Sequence, residues 1–454
     1  MKKKQISSVQ LIPLSFLIAI VMGGLILMLP ISSASGHWTN PLVALFTSTT
    51  STCVTGLVVV DTFSYFSIFG QIIILILIQI GGLGIITFIS MIMLITQKKF
   101  SLGDRKMLQD SLNLNTDVGI LKILIRISKD VLKVEAVGAI LYSIVFIPEF
   151  GVTKGIWFSI FHSISAFCNA GIDIIGNNSL MDYKSNPLVM CTTMILIIMG
   201  GLGYVVWFDM SEKIKKGIRK GFTPVQIFKR FNEHTKLVIT VTLALIISGA
   251  LFFFFAEYNN SGTIGDFNLF DKIMNSFFES ITLRTAGFCS FPQENMSDFS
   301  CVMCYMLMFV GGSPIGTAGG VKTVTIFLAL LNVISYIHDD DQSIVFNKRI
   351  TEESMRKATV IVSVATFTII VLTLALIVTN PINIEDGLYE VISASATVGL
   401  SRGLTSQLNT VGRIIIIIAM YLGRIGPISL AIFFAGRGHH KSKCRYTEGD
   451  FFVG

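Results

Sequence analysis

Apolar residues are grouped along the chain in eight long stretches, and polar or charged connections separate them. The stretches lie at 11–30, 68–96, 128–147, 187–211, 235–256, 299–335, 356–379 and 411–436. A helix that crosses a bilayer needs roughly 20 mostly apolar residues, so each stretch predicts one transmembrane helix. The pattern therefore predicts an all-α polytopic membrane protein.

Shorter apolar segments alternate with the long ones, one in each connection that follows an odd-numbered stretch. They read PLVALFTSTTSTCVTGL, GIWFSIFHSISAFCNAGI, FDKIMNSFFESITLRTAGF and LYEVISASATVGL. Their helical portions cover about 11–15 residues, which is too short to cross a bilayer and suits re-entrant helices. Each segment ends in small or polar residues and a glycine, and these glycines are Gly56, Gly171, Gly287 and Gly399.

The spacing of these glycines indicates an internal repeat, since they lie 115, 116 and 112 residues apart. A second glycine-containing motif follows each one inside the next long stretch: GGLG at 81–84 and 200–203, GGSPIG at 311–316 and GRIG at 423–426. The chain is predicted to contain four units of span, re-entrant helix, glycine loop and span. The units cover approximately 1–97, 98–212, 213–336 and 337–436, and a cytoplasmic tail covers 437–454. The predicted fold is a single domain with fourfold pseudosymmetry around a central pore, with eight transmembrane helices and four pore helices.

Composition and charge agree with this interpretation and set an orientation. Of the 454 residues, 52% are hydrophobic and 14% charged, whereas soluble proteins have about 25% charged residues. The tails and the even-numbered connections hold 27 of the 35 Lys and Arg, so the positive-inside rule places both termini in the cytoplasm of a plasma-membrane protein. No nucleic-acid-binding module is visible, and the net charge of +7 describes the cytoplasmic face.

The opposite face is rich in acidic residues and is predicted to form an acidic mouth, which would raise the local cation concentration. Its acidic residues are Asp61, Glu149, Asp173, Asp182, Glu257, Asp266, Asp271, Glu279, Glu294, Asp298, Glu385, Asp386 and Glu390.

The four glycine loops carry the candidate chemistry. Non-helical backbone at membrane depth is stable only when protein buries it or when it lines a water-filled cavity. Four loops around one axis would direct carbonyl oxygens inward and replace the hydration shell of a cation. Glycine permits the positive φ that such a loop needs, and the polar residues before it are predicted to tie each loop to its helix: Thr55, Asn169, Thr285 and Thr397. The alternative is that these glycines only allow close helix packing, but four at near-constant spacing argue against it.

The sixth stretch contains GGSPIGTAGGVKTVT at 311–325. Glycine and proline cost about 1 and about 3 kcal/mol in a helix relative to alanine, so this span is predicted to break. The break would lie beneath the four glycine loops, which form the predicted ion filter, and a broken helix there is predicted to act as a gate. A phosphate-binding loop is excluded, because Val321 separates Gly320 from Lys322 and no strand precedes the motif. Arg424 is an isolated charge in the last span, and it predicts either a positive barrier beside the gate or a structural cross-link to a helix end.

These motifs resemble the Trk/Ktr/HKT superfamily of K⁺ transporters, and within it the membrane subunits of KtrB type. The resemblance covers nearly the whole chain, and the absence of two extra N-terminal spans favours the Ktr branch. It implies a filter that binds K⁺, formed by Val54, Thr55 and Gly56, by Cys168, Asn169, Ala170 and Gly171, by Arg284, Thr285, Ala286 and Gly287, and by Thr397, Val398 and Gly399. It implies a gate at 311–323 that includes Gly311, Gly312, Ser313, Pro314, Gly316, Thr317, Gly319, Gly320 and Lys322, joined by Arg424.

The resemblance also implies an assembly and an activity. The expected function is K⁺ uptake by a homodimer that rests on a cytosolic ring of RCK-type (KtrA-type) nucleotide-binding subunits. This chain itself needs no cofactor, nucleotide belongs to the partner, lipid surrounds the chain, and Na⁺ activation is an open alternative. The basic segments 97–133 and 212–236 suit docking of such a ring.

The sequence argues against two other function classes. An enzyme is not expected, because no nucleophile, base or metal ligands converge; the CxxC of Cys301 and Cys304 has no second pair, and seven cysteines give no disulfide framework. A secondary transporter of another small cation or solute is the alternative. Inverted repeats would give its second half the opposite topology, whereas all four units here run the same way.

Overall fold

The structure is a computed structural model, and it describes residues 8–84, 120–176, 178–339 and 343–426. These residues form sixteen α-helices and one short hairpin of β1 (Ile344–Val345) and β2 (Lys348–Arg349). The helices are α1 (Ser8–Met28), α2 (Pro41–Cys53), α3 (Thr62–Tyr65), α4 (Ile68–Leu83), α5 (Ile120–Phe150), α6 (Val152–Cys168), α7 (Pro187–Gly201), α8 (Tyr204–Arg219), α9 (Pro224–Lys229), α10 (Glu233–Ala256), α11 (Leu269–Thr282), α12 (Asp298–Phe309), α13 (Thr323–Ile337), α14 (Glu352–Thr379), α15 (Ile384–Ser395) and α16 (Thr410–Ile425). The predicted all-α class is confirmed.

The helices follow the predicted order of first helix, pore helix and second helix in each unit. The first helices are α1, α5, α10 and α14; the pore helices are α2, α6, α11 and α15; and the second helices are α4, α7, α12 and α16. Within the described residues, three helices are long and apolar enough to cross a membrane, namely Leu124–Phe150, Glu233–Ala256 and Glu352–Thr379. The pore helices have 13, 17, 14 and 12 residues, so α6 exceeds the predicted length.

The second helices are shorter than the predicted spans, with 16, 15, 12 and 16 residues. The prediction of a continuous span at 187–211 is wrong, because α7 and α8 are bent by 102° at Leu202 and Gly203. Gly203 has φ +86°, a conformation that glycine adopts without steric cost and that cannot continue an α-helix. Gly84 and Gly426 end α4 and α16 with φ +82° and +86°, so the broken sixth span is one of several interruptions at this depth. The remainders of the predicted spans 68–96 and 411–436, like the tail 437–454, lie outside the described residues.

Local sequence explains where several of these helices begin. Asn40 and Asn186 cap α2 and α7, and each accepts a hydrogen bond from a backbone N–H of the first turn. Proline follows each asparagine at the first helical position, where its missing N–H has no helical partner to lose. Asn-Pro therefore marks the start of one pore helix and of one second helix.

Each pore helix buries an aromatic side chain ten residues before its glycine, or nine residues before it in the third unit. These residues are Phe46, Phe161, Phe278 and Tyr389, and each is fully buried. The next residue is polar and buried in every case: Thr47, His162, Glu279 and Glu390. The four pore helices therefore occupy equivalent places in the core, even though their sequences differ.

Glu257 links the end of α10 to the start of α12. Its carboxylate accepts hydrogen bonds from Ser297 Oγ at 2.6 Å, from Thr263 Oγ1 at 2.8 Å, from Asn260 Nδ2 at 2.6 Å and from Ser300. Burial raises the pKa of Glu257, but the hydrogen bonds from Ser297, Ser300, Thr263 and Asn260 outweigh it, so the pKa lies below its ordinary value. The ionised form is therefore the form that the fold stabilises.

We expect Glu257→Gln to lower the free energy of unfolding at neutral pH by about 1–3 kcal/mol, since charged acceptors make the stronger hydrogen bonds. An unfolded glutamate titrates near about pH 4.3, so the parent keeps this stabilisation above that pH and loses it as pH falls through the lower folded pKa. Thermal unfolding in detergent from about pH 3 to about pH 8 measures both effects. The variant should have a lower Tm at neutral pH, and its Tm should fall less steeply than that of the parent as the pH is lowered. Glu294→Gln, at an exposed position, is the control and should behave as the parent does. If the Tm of Glu257→Gln and of the parent fall equally with decreasing pH, the ionised form of Glu257 does not stabilise the fold.

Candidate functional site

Each pore helix is followed by one unusual backbone position, two residues before the glycine. Val54, Asn169, Thr285 and Thr397 have φ of 58°, 59°, 72° and 53°, in the left-handed region that residues other than glycine seldom adopt. Val54, rather than Thr55, is therefore the residue of the first unit whose backbone matches that of Asn169, Thr285 and Thr397. Val54 takes this place because α2 ends at Cys53 and Val54 is its left-handed C-cap.

The four glycines lie together in a closed ring, and their φ values are 100°, 63°, 85° and 98°. A Cβ added to Gly56 would lie 2.6 Å from the carbonyl oxygen of Ala170 and 3.2 Å from the Cα of Gly399. A Cβ at each of the others would likewise meet a carbonyl oxygen of the following unit, namely Ala286 O for Gly171, Val398 O for Gly287 and Thr55 O for Gly399. Each loop thus packs backbone to backbone against the next, and a side chain at any of the four positions would separate them.

Hydroxyl groups one turn or more back in the pore helices hold the loops. Thr50 Oγ1 accepts from the N–H of Gly56 at 2.9 Å, and Ser393 Oγ accepts from the N–H of Gly399 at 3.1 Å. Ser165 Oγ donates to Ile172 O at 2.6 Å, and Thr282 Oγ1 donates to Phe288 O at 2.7 Å. The predicted ties are wrong for three residues, because no described residue is hydrogen-bonded to the hydroxyl of Thr55, Thr285 or Thr397.

An open vestibule of about 520 Å³ lies above the ring, and the four glycines form part of its lining. Asp61, Asp173 and Glu294 also line it, so the predicted acidic mouth is present at these three residues. Their charge favours cations at the entrance.

Three acidic residues expected at the mouth are instead completely buried: Glu257, Glu279 and Glu390. Glu257 joins two helices, as described above. Glu279 accepts from Gln293 Nε2 at 3.3 Å, and Glu390 accepts from Ser401 Oγ at 2.8 Å. Their expected place in the mouth is wrong, because hydrogen-bond donors within the fold surround them.

Residues 310–322 form the predicted loop between α12 and α13. The loop is closed on itself by a hydrogen bond from Gly311 N to Val321 O at 2.9 Å. It is also docked on the bend between α7 and α8, where Ser313 N donates to Gly201 O at 2.9 Å and Ile315 O accepts from Tyr204 N at 3.0 Å. The glycine-rich segment is therefore an ordered element with defined contacts.

The loop also contacts the pore-helix ends that lead into the ring. Thr317 Oγ1 donates to Phe167 O at 3.1 Å, at the end of α6. Gly319 lies against the side chain of Thr397, where an added Cβ would clash with it. Because the vestibule is lined by the glycines and the residues after them, the loop occupies the opposite end of the ring.

Two basic side chains donate hydrogen bonds to carbonyl oxygens of this loop, one from α16 and one from the loop itself. Arg424 donates from Nη1 to Thr317 O at 2.6 Å and from Nη2 to Gly81 O in the last turn of α4. Lys322 donates to Ala318 O at 2.6 Å within the loop. The guanidinium group thus makes the cross-link to a helix end that was one alternative, and its charge lies against the loop 310–322.

Glu135 is a carboxylate in α5 that is 5% exposed and that was not predicted as a site residue. Gln79 in α4 donates to it at 3.0 Å, and Cys168 Sγ donates to Gln79 Oε1 at 3.7 Å. The available signal was an acidic residue inside the apolar stretch 128–147, beyond the charged segment that ends at Lys133, because intramembrane charges are costly. Cys301 and Cys304 are buried, and no cluster of metal-binding side chains occurs among the residues that the structure describes.

Comparisons with known proteins extend these observations to nearly the whole chain. The sequence model of the TrkH family, described as “Cation transport protein”, matches residues 9–441. The Ktr system potassium uptake protein B of Bacillus subtilis is 38% identical over 451 residues, which cover 98% of this chain and 96% of that protein. The potassium/sodium uptake protein NtpJ of Enterococcus hirae is 36% identical over 458 residues, covering 100% and 98%.

A solved structure supports the fold. The potassium transporter TrkH from Vibrio parahaemolyticus aligns with a TM-score of 0.74 at 17% identity, covering 95% of this chain and 86% of that one.

Proposed function

The chain belongs to the TrkH family of cation transport proteins, and from this premise we propose that it is the ion-translocating subunit of a K⁺ uptake system. The observation that carries the proposal is the ring of Gly56, Gly171, Gly287 and Gly399, in which each glycine lies against a backbone carbonyl of the next unit. The family consists of ion transporters, which agrees with the expectation that the chain is not an enzyme. It is a membrane protein, and we place it as a multi-pass plasma-membrane protein with both termini in the cytoplasm.

The filter is proposed to select cations by replacing their water. The acidic vestibule concentrates cations, and a K⁺ ion entering the ring exchanges hydration oxygens for backbone carbonyls. The four loops differ in sequence, with Val54-Thr55, Asn169-Ala170, Thr285-Ala286 and Thr397-Val398 before the glycines. The site is therefore less uniform than four identical loops would be. Since one relative is named as a potassium/sodium uptake protein, we propose that Na⁺ is the competing or activating ion.

The gate is proposed to lie at the loop 310–322, below the ring. Arg424 holds this loop against α4, and a cation that passes the guanidinium meets a like charge where screening is weak. If the loop were released from Arg424, it would no longer block the path of the ion below the ring and would no longer be attached to α4.

We propose that a homodimer of the chain docks on a cytosolic RCK-type ring that binds nucleotide, and that this ring moves the gate. Helix α8 suits this role because it begins at the bend where Tyr204 N is bonded to Ile315 O of the loop. Its far end carries basic residues, among them the exposed Lys215 and Lys216. A force on α8 would therefore reach the gate loop through one direct contact.

The proposed function predicts that the chain restores K⁺ uptake to cells that lack their own K⁺ systems. Rubidium or potassium uptake would be measured with and without a co-expressed RCK-type subunit, at matched amounts of membrane-inserted protein. Uptake that K⁺ inhibits more strongly than Na⁺ would support the proposal. No uptake in either case, despite insertion, would exclude it.

The docking surface makes a separate prediction. Neutralising Lys213, Lys215 and Lys216 to Gln should weaken co-purification with the RCK-type partner, and the parent complex should itself weaken as salt is raised, because surface charge contacts are screened. We expect a loss of about three- to 100-fold in apparent affinity, since each of three exposed ion pairs contributes about 0.2–1 kcal/mol. Lys154→Gln, on the outer side, is the control. Undiminished binding at every salt concentration would remove these lysines from the interface.

A further inference from the structure

The segment that follows the fourth filter glycine carries an arginine beside the vestibule. Ser401 and Gly403 line the vestibule, but Arg402 between them does not. The Arg402 side chain turns toward α15 and is only 13% exposed. A permanent positive charge thus lies one residue from the entrance of a pathway for cations, and the fold directs it away.

Two carboxylates at the start of α15 hold this guanidinium. Arg402 Nη1 lies 3.0 Å from Glu385 Oε1, and Arg402 Nε lies 3.4 Å from Asp386 Oδ1. Nη1 also contacts Cys301 Sγ of α12 at 3.2 Å. Two negative charges therefore outweigh the single positive charge, and both come from the pore helix of the same unit.

A second set of contacts keeps the segment in place without Arg402. Glu390, one turn further along α15, accepts hydrogen bonds from Ser401 Oγ at 2.8 Å and from Thr405. Ser393 holds the N–H of Gly399. Because these anchors lie on both sides of Arg402, its ion pairs are not needed to form the loop, and their main effect is on where the guanidinium charge lies.

We propose that Glu385 and Asp386 are positioning residues that determine the affinity for the external cation, by holding the Arg402 guanidinium out of the vestibule and cancelling its charge. The inference rests on the proposed function of cation uptake through the filter. Without the two carboxylates, the long side chain of Arg402 is free to reach the water of the vestibule, where a like charge lowers the local cation concentration.

The double variant Glu385→Gln/Asp386→Asn tests this inference in cells that take up ⁸⁶Rb⁺. Its apparent KM for external Rb⁺ should rise about two- to fourfold, the effect of one unit charge about 5–10 Å from the entering ion in water-like surroundings. Vmax per inserted protein should change little, because the filter and gate remain intact. The rise in KM should shrink when impermeant salt is added.

A triple variant separates the charge of Arg402 from a merely structural role. Adding Arg402→Gln to the double variant should return KM to the parent value, since no charge is then left to repel the ion. Asp266→Asn/Asp298→Asn removes the same net charge from exposed outer positions away from the vestibule lining, and its KM should equal that of the parent. If the double variant is not inserted, Arg402→Gln alone is measured, and its KM should be equal to or below the parent value.

An unchanged KM in the inserted double variant, a raised KM that Arg402→Gln does not restore, or a raised KM in Arg402→Gln alone would overturn the inference. The parent protein reports on the proposed function separately. A parent that takes up no Rb⁺ contradicts the proposed function, whereas an active parent with insensitive variants contradicts the role of Glu385 and Asp386 only.

Discussion

Gly56→Ser is expected to leave the chain in the membrane and to remove most of its preference for K⁺ over Na⁺. A Cβ at this position lies 2.6 Å from the carbonyl oxygen of Ala170, so the first and second loops must move apart. The backbone there has φ +100°, which a serine adopts only with strain. A misplacement that costs the bound ion about 1.4 kcal/mol lowers the K⁺/Na⁺ uptake ratio about tenfold.

Relative uptake of K⁺ and Na⁺ would be measured at matched expression. Gly36→Ser provides the control, because Gly36 also has positive φ (70°) but an added Cβ there meets no atom within 4 Å. Both variants place a serine at positive φ, but only Gly56→Ser also forces neighbouring loops apart, so the difference between them measures the effect of the close packing. An unchanged ion ratio in Gly56→Ser would mean that Gly56 is a packing glycine only.

Arg424→Ala is expected to raise the K⁺ flux of the purified chain in liposomes and to reduce its dependence on a partner. The substitution removes the hydrogen bonds to Thr317 O and to Gly81 O, and with them the attachment of the gate loop to α4. Hydrogen bonds to a charged group contribute about 1.5–3 kcal/mol each, so the open population should increase at least about tenfold. Shortening the loop within 316–320 should act in the same direction.

The ion preference of these gate variants should change less than their flux, because the glycine ring lies elsewhere. Arg413→Ala is a matched control on the same helix, since Arg413 donates to Ser406 O near the start of α16, away from the gate loop. If Arg424→Ala and the shortened loop both insert normally yet conduct no faster than the parent, the gate does not lie at this loop.

The repeat, the four glycines and the broken sixth span could be predicted from the sequence, because hydrophobic length and glycine spacing are local properties. The interruption at Gly203 could not, since GGLG inside an apolar stretch is also typical of a continuous packed helix. Its tertiary cause is visible only in the fold, where the loop 310–322 lies against the bend and Ile315 O accepts from Tyr204 N.

Which residue of each glycine loop has the left-handed backbone could not be predicted from the sequence, for a different reason. Val54 is a β-branched residue with φ 58°, which its intrinsic preferences oppose. Glu279 and Glu390 were predicted to lie in the acidic mouth, because the sequence shows that they are acidic but not that the fold buries their carboxylates.

The order of contacts around the ring has a consequence for the chain as a whole. Each glycine loop touches the next in chain order, the fourth touches the first at Thr55, and Tyr421 of α16 donates to Pro13 O of α1 at 2.9 Å. Contacts of this head-to-tail kind close cyclic oligomers of identical subunits, and here they close within a single polypeptide. The architecture is that of a covalently fused tetramer with no structurally privileged first unit. A circular permutation that begins at any of the four units would preserve every contact of the ring.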